Sequence, residues 1–187
     1  HMFKGALKFN GTITNWNTAK VTDMCSMFAY AQEFNQNIST REDLWNTSAV
    51  TDMQFMFFNA SDFNQDITNW DTSSVSNMER MFSRATSFNQ NIKTDGDCWN
   101  TSAVTNMKAT FEYASAFDAD ISSWDTRNVR NMYLIFKGAD ALKDKTHLLI
   151  HRVSELKVEL KRILGETYDL FKKPGTNGSI GNNIGFH

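Results

Sequence analysis

The chain has 187 residues, 41% hydrophobic, 13% aromatic and 21% charged, which suffices for one domain with its own core. Its net charge of −2 is too weak to imply a nucleic-acid or acidic-membrane partner, and no run approaches the ~18 apolar residues of a membrane span. Nothing resembles a signal peptide, and two cysteines, Cys25 and Cys98, are too few for a disulfide framework and read as free thiols.

His1 and Met2 have the look of a cloning remnant. Phe3, Ala6, Phe9 and Ile13 then match the second half of the pattern that follows. The expectation is an array cut from a longer one, or a half-coil that serves as its N-terminal cap.

From there the sequence repeats. Tryptophan recurs at Trp16, Trp45, Trp70, Trp99 and Trp124, with spacings of 29, 25, 29 and 25. Val21, Met24, Phe28, Ala31, Phe34 and Ile38 follow the first tryptophan at offsets that recur in the later copies, down to Val129, Met132, Phe136, Ala139 and Leu142. A period of this length means stacked supersecondary units that each need a neighbour. One coil buries about six large apolar side chains at ~1.5–3 kcal/mol each. Ordering its ~25 residues costs roughly 1–2 kcal/mol apiece in backbone entropy. Alone, it cannot fold.

Within each coil Met24, Met27, Phe28 and Ala31 stand at i, i+3, i+4 and i+7, which predicts a short helix over 22–31. Thr22, Thr51, Ser76 and Thr105 are its expected N-caps. The next segment lacks that stripe and predicts a short strand around Ile38, in a parallel ladder with Ile67, Ile92 and Ile121. Four extra residues enter every second coil, within 39–44 and 93–98, and are expected as loops on one side of the stack.

After the last coil, Leu149, Val153, Leu156, Leu160 and Ile163 form a heptad seam, with Thr146 or Asp144 as cap and Gly165 as stop. It predicts a helix that covers the open end of the array; the other reading is a short coiled coil between two chains. The basic excess lies here: residues 1–140 carry eleven basic and sixteen acidic side chains, 141–187 eight and five. Past Phe171 the composition is that of a flexible tail.

The segment MFFNASDFNQDITNWDTSSVSNM, residues 56–78, resembles the mycoplasma-type surface-protein repeat, a family of undefined function related to BspA-like leucine-rich repeats. The resemblance covers 3–142. It implies a leucine-rich-repeat-like architecture on lipoproteins or cell-wall proteins that act in adhesion, and it brings no catalytic residues. The last copies depart from the motif: Phe117-Asp118-Ala119-Asp120 replaces Phe-Asn-Gln-Asn, and Thr110 stands where Met is expected.

Candidate chemistry is thin. His147 and His151 have metal-binding spacing but no evident third ligand, and read as surface histidines. Thr94-Asp95-Gly96-Asp97 resembles a piece of a calcium loop and reads better as a turn. Asn35, Asn64, Asn89 and Asp118 form a ladder in register, more suited to holding turn backbone than to contacting a ligand. The methionine stripe is core packing, and the tryptophans wedge into the stack rather than forming an exposed glycan strip. Sequons such as Asn46-Thr47-Ser48 follow from composition alone. Catalysis needs unlike groups converging on one point, whereas a repeat offers the same environment in every coil.

The expected fold is therefore an α/β solenoid of leucine-rich-repeat-like coils, each with a short helix and a short parallel strand. It spans 1–142, followed by a cap helix over 143–171 and a flexible tail over 172–187. The expected function is that of a non-catalytic, cofactor-free module of a cell-surface or secreted protein. Its partner is a protein or glycan, bound through the loops carrying Arg41, Glu42 and Asp43 and Asp95, Gly96 and Asp97. The alternative is an assembly protein that associates weakly through 146–164.

Overall fold

The structure, a computed structural model, describes residues 1–39, 45–94 and 98–142. The chain divides into two compact units, His1–Arg152 and Val153–His187, and the second lies outside the described residues. So do the expected cap helix over 143–171, its seam and the tail over 172–187. We number the coils 1 to 5 as residues 16–38, 45–67, 70–92, 99–121 and 124–142, preceded by a half-coil over 3–13.

The expected α/β architecture is not what forms. Among the described residues there is no helix, and extended pairing is confined to isolated parallel bridges. The segment expected as a helix is instead a run of tight turns. In coil 1, Met27, Ala29 and Ala31 each donate their N–H to the carbonyl three residues back. The intervening Met24, Ser26, Phe28 and Tyr30 donate to Asp52, Gln54, Met56 and Phe58 of coil 2 at 2.7–3.0 Å. The same alternation joins coil 2 to 3, 3 to 4 and 4 to 5.

Two residues per coil adopt left-handed backbone to make this path. One register holds Ser26, Phe55, Arg80, Ala109 and Leu134; the other holds Gly5, Tyr30, Asn59, Arg84, Tyr113 and Gly138. A helix has no place for either. Left-handed backbone at a non-glycine residue costs about 1–3 kcal/mol. Alternate amides freed from local bonding offset that cost by reaching the next coil. The helical stripe was a true burial pattern with the wrong backbone, since a turn also returns i and i+3 to one side.

The strand expected at Ile38 is likewise absent. Ile38, Ile67, Ile92 and Ile121 are buried, but the parallel bridges run elsewhere, through Asp23, Asp52, Asn77, Asn106 and Asn131. Nor do the expected caps cap helices. Thr51, Ser76 and Thr105 each donate a side-chain hydroxyl to the carbonyl of the residue in register in the preceding coil, at 3.2 Å. The turn is opened one residue later, where the Oδ1 of Asp23, Asp52, Asn77, Asn106 or Asn131 accepts the N–H two residues on at 2.7–3.1 Å.

Two columns of phenylalanine rings fill the core. Phe3, Phe28, Phe57, Phe82, Phe111 and Phe136 stack at centroid spacings of 5.6–6.0 Å. Phe9, Phe34, Phe63, Phe88 and Phe117 stack beside them at 5.8–6.1 Å. Within each of coils 1 to 4 the two rings lie 3.8–4.0 Å apart and nearly parallel. The spacing between coils exceeds the ~4.8 Å of paired backbones, so the rings overlap with an offset, as their quadrupoles favour.

A buried polar column runs through this core. Thr18, Thr47, Thr72, Thr101 and Thr126 are buried, and the hydroxyls of the first four donate to the carbonyls of Asn46, Asp71, Asn100 and Asp125 at 2.8–3.0 Å.

The alternating spacing has a consequence at the tryptophans. Between coils 2 and 3, where no residues are inserted, the amide of Trp70 takes the carbonyl of Ile67 at 3.1 Å. The insertions part Ile38 and Ile92 from Trp45 and Trp99, and their carbonyls accept the indole N–H groups of Trp70 and Trp124 at 2.9 and 2.8 Å. Trp45 and Trp99 face Ile13 and Ile67, whose carbonyls are taken by the amides of Trp16 and Trp70. Their buried indole N–H groups have no hydrogen-bond partner among the described residues.

Candidate binding face

The two inserted loops carrying Arg41, Glu42 and Asp43 and Asp95, Gly96 and Asp97 lie outside the described residues, as do His147 and His151. At the edge of the second insertion, the amide of Thr94 bonds the Ser123 hydroxyl at 2.9 Å and its own hydroxyl donates to the Ser123 carbonyl. Lys93 pairs with Asp120 at 2.8 Å. That ammonium, with help from the Ser122 amide and hydroxyl, holds the Asp120 carboxyl far below the usual carboxylate range.

The asparagine ladder is a structural device. The Oδ1 of Asn35 accepts the amide of Asn64, that of Asn64 accepts the amide of Asn89, and that of Asn89 accepts the amide of Asp118, all at 2.9–3.0 Å. Asn10 extends it to the half-coil by accepting from Asn35. Gln36, Gln65 and Gln90 donate to the same Oδ1 atoms from the side. Their side-chain oxygens are thereby committed to the next coil.

The tryptophans of coils 2 to 5 are buried, so they form no exposed aromatic strip. Cys25 and Cys98 are free and half-buried. Among the described residues no group of three His, Cys, Asp or Glu side chains could hold a metal ion, and no helix is long and apolar enough to cross a membrane.

What remains is a ridge along the left-handed turns. Four positions per coil lie along these turns, and they read Cys25, Ser26, Ala29 and Tyr30 in coil 1, where Ser26 and Ala29 are buried, then Gln54, Phe55, Phe58 and Asn59. Coil 3 supplies Glu79, Arg80, Ser83 and Arg84; coil 4 supplies Lys108, Ala109, Glu112 and Tyr113; coil 5 supplies Tyr133, Leu134, Lys137 and Gly138; of these Ser83, Ala109 and Glu112 are buried. The tryptophan register and, through coil 4, both phenylalanine registers repeat one residue type along the stack. The ridge positions change in size, charge and aromaticity from coil to coil.

The ridge has two parts. Over coils 1 and 2 it is aromatic: Tyr30 meets Phe58 edge-on at 5.1 Å and Phe58 meets Phe55 at 5.6 Å, with Tyr30 exposed and both phenylalanines half-exposed. Over coils 3 to 5 it is charged. Arg80 pairs with the buried Glu112 at 3.1 Å, where Ser83 also approaches, and Lys108 pairs with Glu79 at 3.2 Å. The ring of Tyr113 carries the Arg84 guanidinium at 5.1 Å and the Lys137 ammonium at 5.4 Å. The Tyr113 phenol holds Lys137 above its ordinary pKa. The same ring fills the space where Gly138 has no side chain: a Cβ there would stand 2.3 Å from a Tyr113 ring carbon. Tyr133 is 67% exposed at the end of the row.

The repeat alone could have pointed to this ridge, by asking which registers fail to repeat.

No curated protein and no solved structure matches the chain. The model of the family described as Mycoplasma protein of unknown function, DUF285, matches residues 1–93 and again 40–149, well over half of the sequence, and the protein belongs to that family.

Proposed function

We propose that the chain is a non-catalytic binding module for a protein partner, which it contacts through the ridge of left-handed turns. The observation that carries this reading is the contrast between registers: a backbone repeated with little change presents a different side-chain set in every coil. Recognition uses such a surface, whereas catalysis needs convergence, and the ridge's carboxylates Glu79 and Glu112 are committed to Lys108 and Arg80. Exposed tyrosine, half-exposed phenylalanine and arginine are the side chains that dominate protein-protein contacts, which favours a protein over a glycan. The resemblance to surface-protein and BspA-like repeats supports a place at the cell surface or outside the cell.

The test compares the protein with a variant carrying Tyr30→Ala, Phe58→Ala, Arg84→Ala and Tyr113→Ala on arrays of extracellular-matrix proteins and of glycans. Binding to array proteins, lost in this variant and kept in a Ser61→Ala, Thr86→Ala variant on another edge of the coils, supports the reading. Glycan binding alone, or protein binding indifferent to the ridge, overturns it.

A further inference from the structure

Charge on the ridge of coils 3 to 5 is not balanced. Residues 1–140 carry eleven basic and sixteen acidic side chains. The ridge positions of these three coils reverse that ratio, with the cations Arg80, Arg84, Lys108 and Lys137 against the carboxylates Glu79 and Glu112. Both carboxylates are occupied. Glu112 is buried against Arg80 at 3.1 Å, with the Ser83 hydroxyl at 3.4 Å. Glu79 pairs with Lys108 at 3.2 Å and accepts from the Asn106 side-chain amide at 3.0 Å. The positive charges of Arg84 and Lys137 are left over.

Among the described residues neither of these two cations pairs with a carboxylate. They meet instead at one ring. The Arg84 guanidinium lies 5.1 Å and the Lys137 ammonium 5.4 Å from the centroid of Tyr113, and all three side chains are exposed. Like charges gathered at one residue repel, and an exposed ring offsets that only in part. A ring face also attracts charge without occupying N–H donors, so the guanidinium keeps its fork for a carboxylate. The ring is seated in turn on Gly138, where a Cβ would stand 2.3 Å from it. Two cations are thus gathered in advance around one post, which lowers the entropy cost of receiving an anion.

Apolar contact is offered two coils away, where Tyr30 and Phe58 meet edge-on. The coils advance by 5.6 and 5.7 Å between Phe57, Phe82 and Phe111, and Phe58 and Tyr113 are separated by the same two steps. Extended chain at ~3.3 Å per residue covers that distance in roughly three or four residues. We infer that the protein partner meets the ridge with an acidic segment, its carboxylates on Arg84 and Lys137 around Tyr113 and an apolar side chain roughly three or four residues away on Phe58 and Tyr30. This rests on the ridge being the contact surface and adds the chemistry of what it contacts.

The test selects from a displayed library of random dodecapeptides on the immobilised full chain at low salt. Recovered peptides are expected to be rich in Asp and Glu beside an aromatic or aliphatic residue, against the net negative charge of residues 1–140. Their affinity, read by fluorescence anisotropy, should fall at least about tenfold in an Arg84→Gln, Lys137→Gln variant and decline as salt is added. An Arg127→Gln, Arg130→Gln variant removes as many cations from the coils and should bind unchanged. Peptides that lose binding in a Tyr30→Ala, Phe58→Ala variant but show no acidic preference overturn the inference and leave the ridge reading in place. Acidic peptides weakened equally by the two glutamine variants overturn it as a general effect of charge. Recovery of no peptide, or only of peptides indifferent to every ridge substitution, overturns it as well.

Discussion

The phenylalanine columns and the ridge of left-handed turns belong to the same coils, a few residues apart, and obey opposite rules. Along the columns the residue type is constant from Phe28 to Phe111, each ring stacked on the next at 5.6–5.7 Å. Along the ridge nothing is constant except the backbone, which turns left-handed at Ser26, Phe55, Arg80, Ala109 and Leu134 alike. A buried position in a stack is defined by the equivalent positions above and below it, so its identity propagates. Ridge positions meet unlike partners from coil to coil, as in the Arg80–Glu112 pair and the contact of Tyr113 with Arg84 and Lys137, so no one residue type propagates along them.

The sharpest way to break this contrast is at the centre of the first column. Phe82 lies between Phe57 and Phe111 and against Phe88 of its own coil, and is fully buried. Phe82→Ala is expected to cost about 3–5 kcal/mol in urea denaturation, through lost burial and the cavity left behind. Tyr30→Ala on the ridge should stay within about 1 kcal/mol. Comparable losses at the two sites would mean that the ridge is part of the core.

Next in size is the threonine column. The Thr72 hydroxyl donates to the Asn100 carbonyl at 2.9 Å and accepts the Asn100 amide at 2.8 Å, so one oxygen closes a ring between coils 3 and 4. Thr72→Val keeps the shape and strands both groups of Asn100, for an expected loss of about 1–3 kcal/mol. Thr72→Ser, which keeps the oxygen, should recover most of it. Equal losses in the two variants would assign the position to packing alone.

Much of this was legible in the sequence, and the reason for each miss is specific. The period, the members of both phenylalanine columns and the burial of the tryptophans follow from residue type and spacing, because apolar burial is non-directional and depends little on backbone path. The backbone path itself was misread. Met24, Met27, Phe28 and Ala31 satisfy the helical pattern, and nothing in Tyr30 or Arg84 announces left-handed backbone, which glycine takes at the same register in Gly5 and Gly138. Those two glycines, one in the half-coil and one in coil 5, were the available signal. The aspartate or asparagine that recurs at the positions of Asp52 and Asn77 fits a helix N-cap as well as an Asx turn, and so did not separate the two.

The two coil lengths permit a finer comparison inside the core. Trp70 and Trp45 are equally buried, but the Trp70 indole donates to Ile38 at 2.9 Å while that of Trp45 has no partner among the described residues. Replacing either by phenylalanine removes similar apolar surface. Trp70→Phe also forfeits the hydrogen bond to the Ile38 carbonyl, whereas Trp45→Phe removes a buried donor that has no partner among the described residues. The difference between the two variants is expected at about 1 kcal/mol, with Trp70→Phe the less stable. Identical losses would show that the hydrogen bond contributes nothing.

The smallest effect concerns charge at the edge of the second insertion. Lys93 and Asp120 pair at 2.8 Å with both side chains substantially exposed, so solvent screens the interaction and its worth at neutral pH is small. Its signature lies in the pH dependence. The folded Asp120 carboxyl is depressed below its ordinary value of 3.8, chiefly by the Lys93 hydrogen bond. A depressed carboxyl adds stability in full at pH values above its unfolded pKa, and that contribution declines as pH falls below about 4, where only the unfolded chain takes up the proton. Lys93→Met should therefore lower the urea midpoint slightly at neutral pH, and the gap to the unmodified protein should narrow as pH falls below about 4. A gap that stays constant through that range would trace the Lys93 effect to its aliphatic stem packing on the chain, not to its charge.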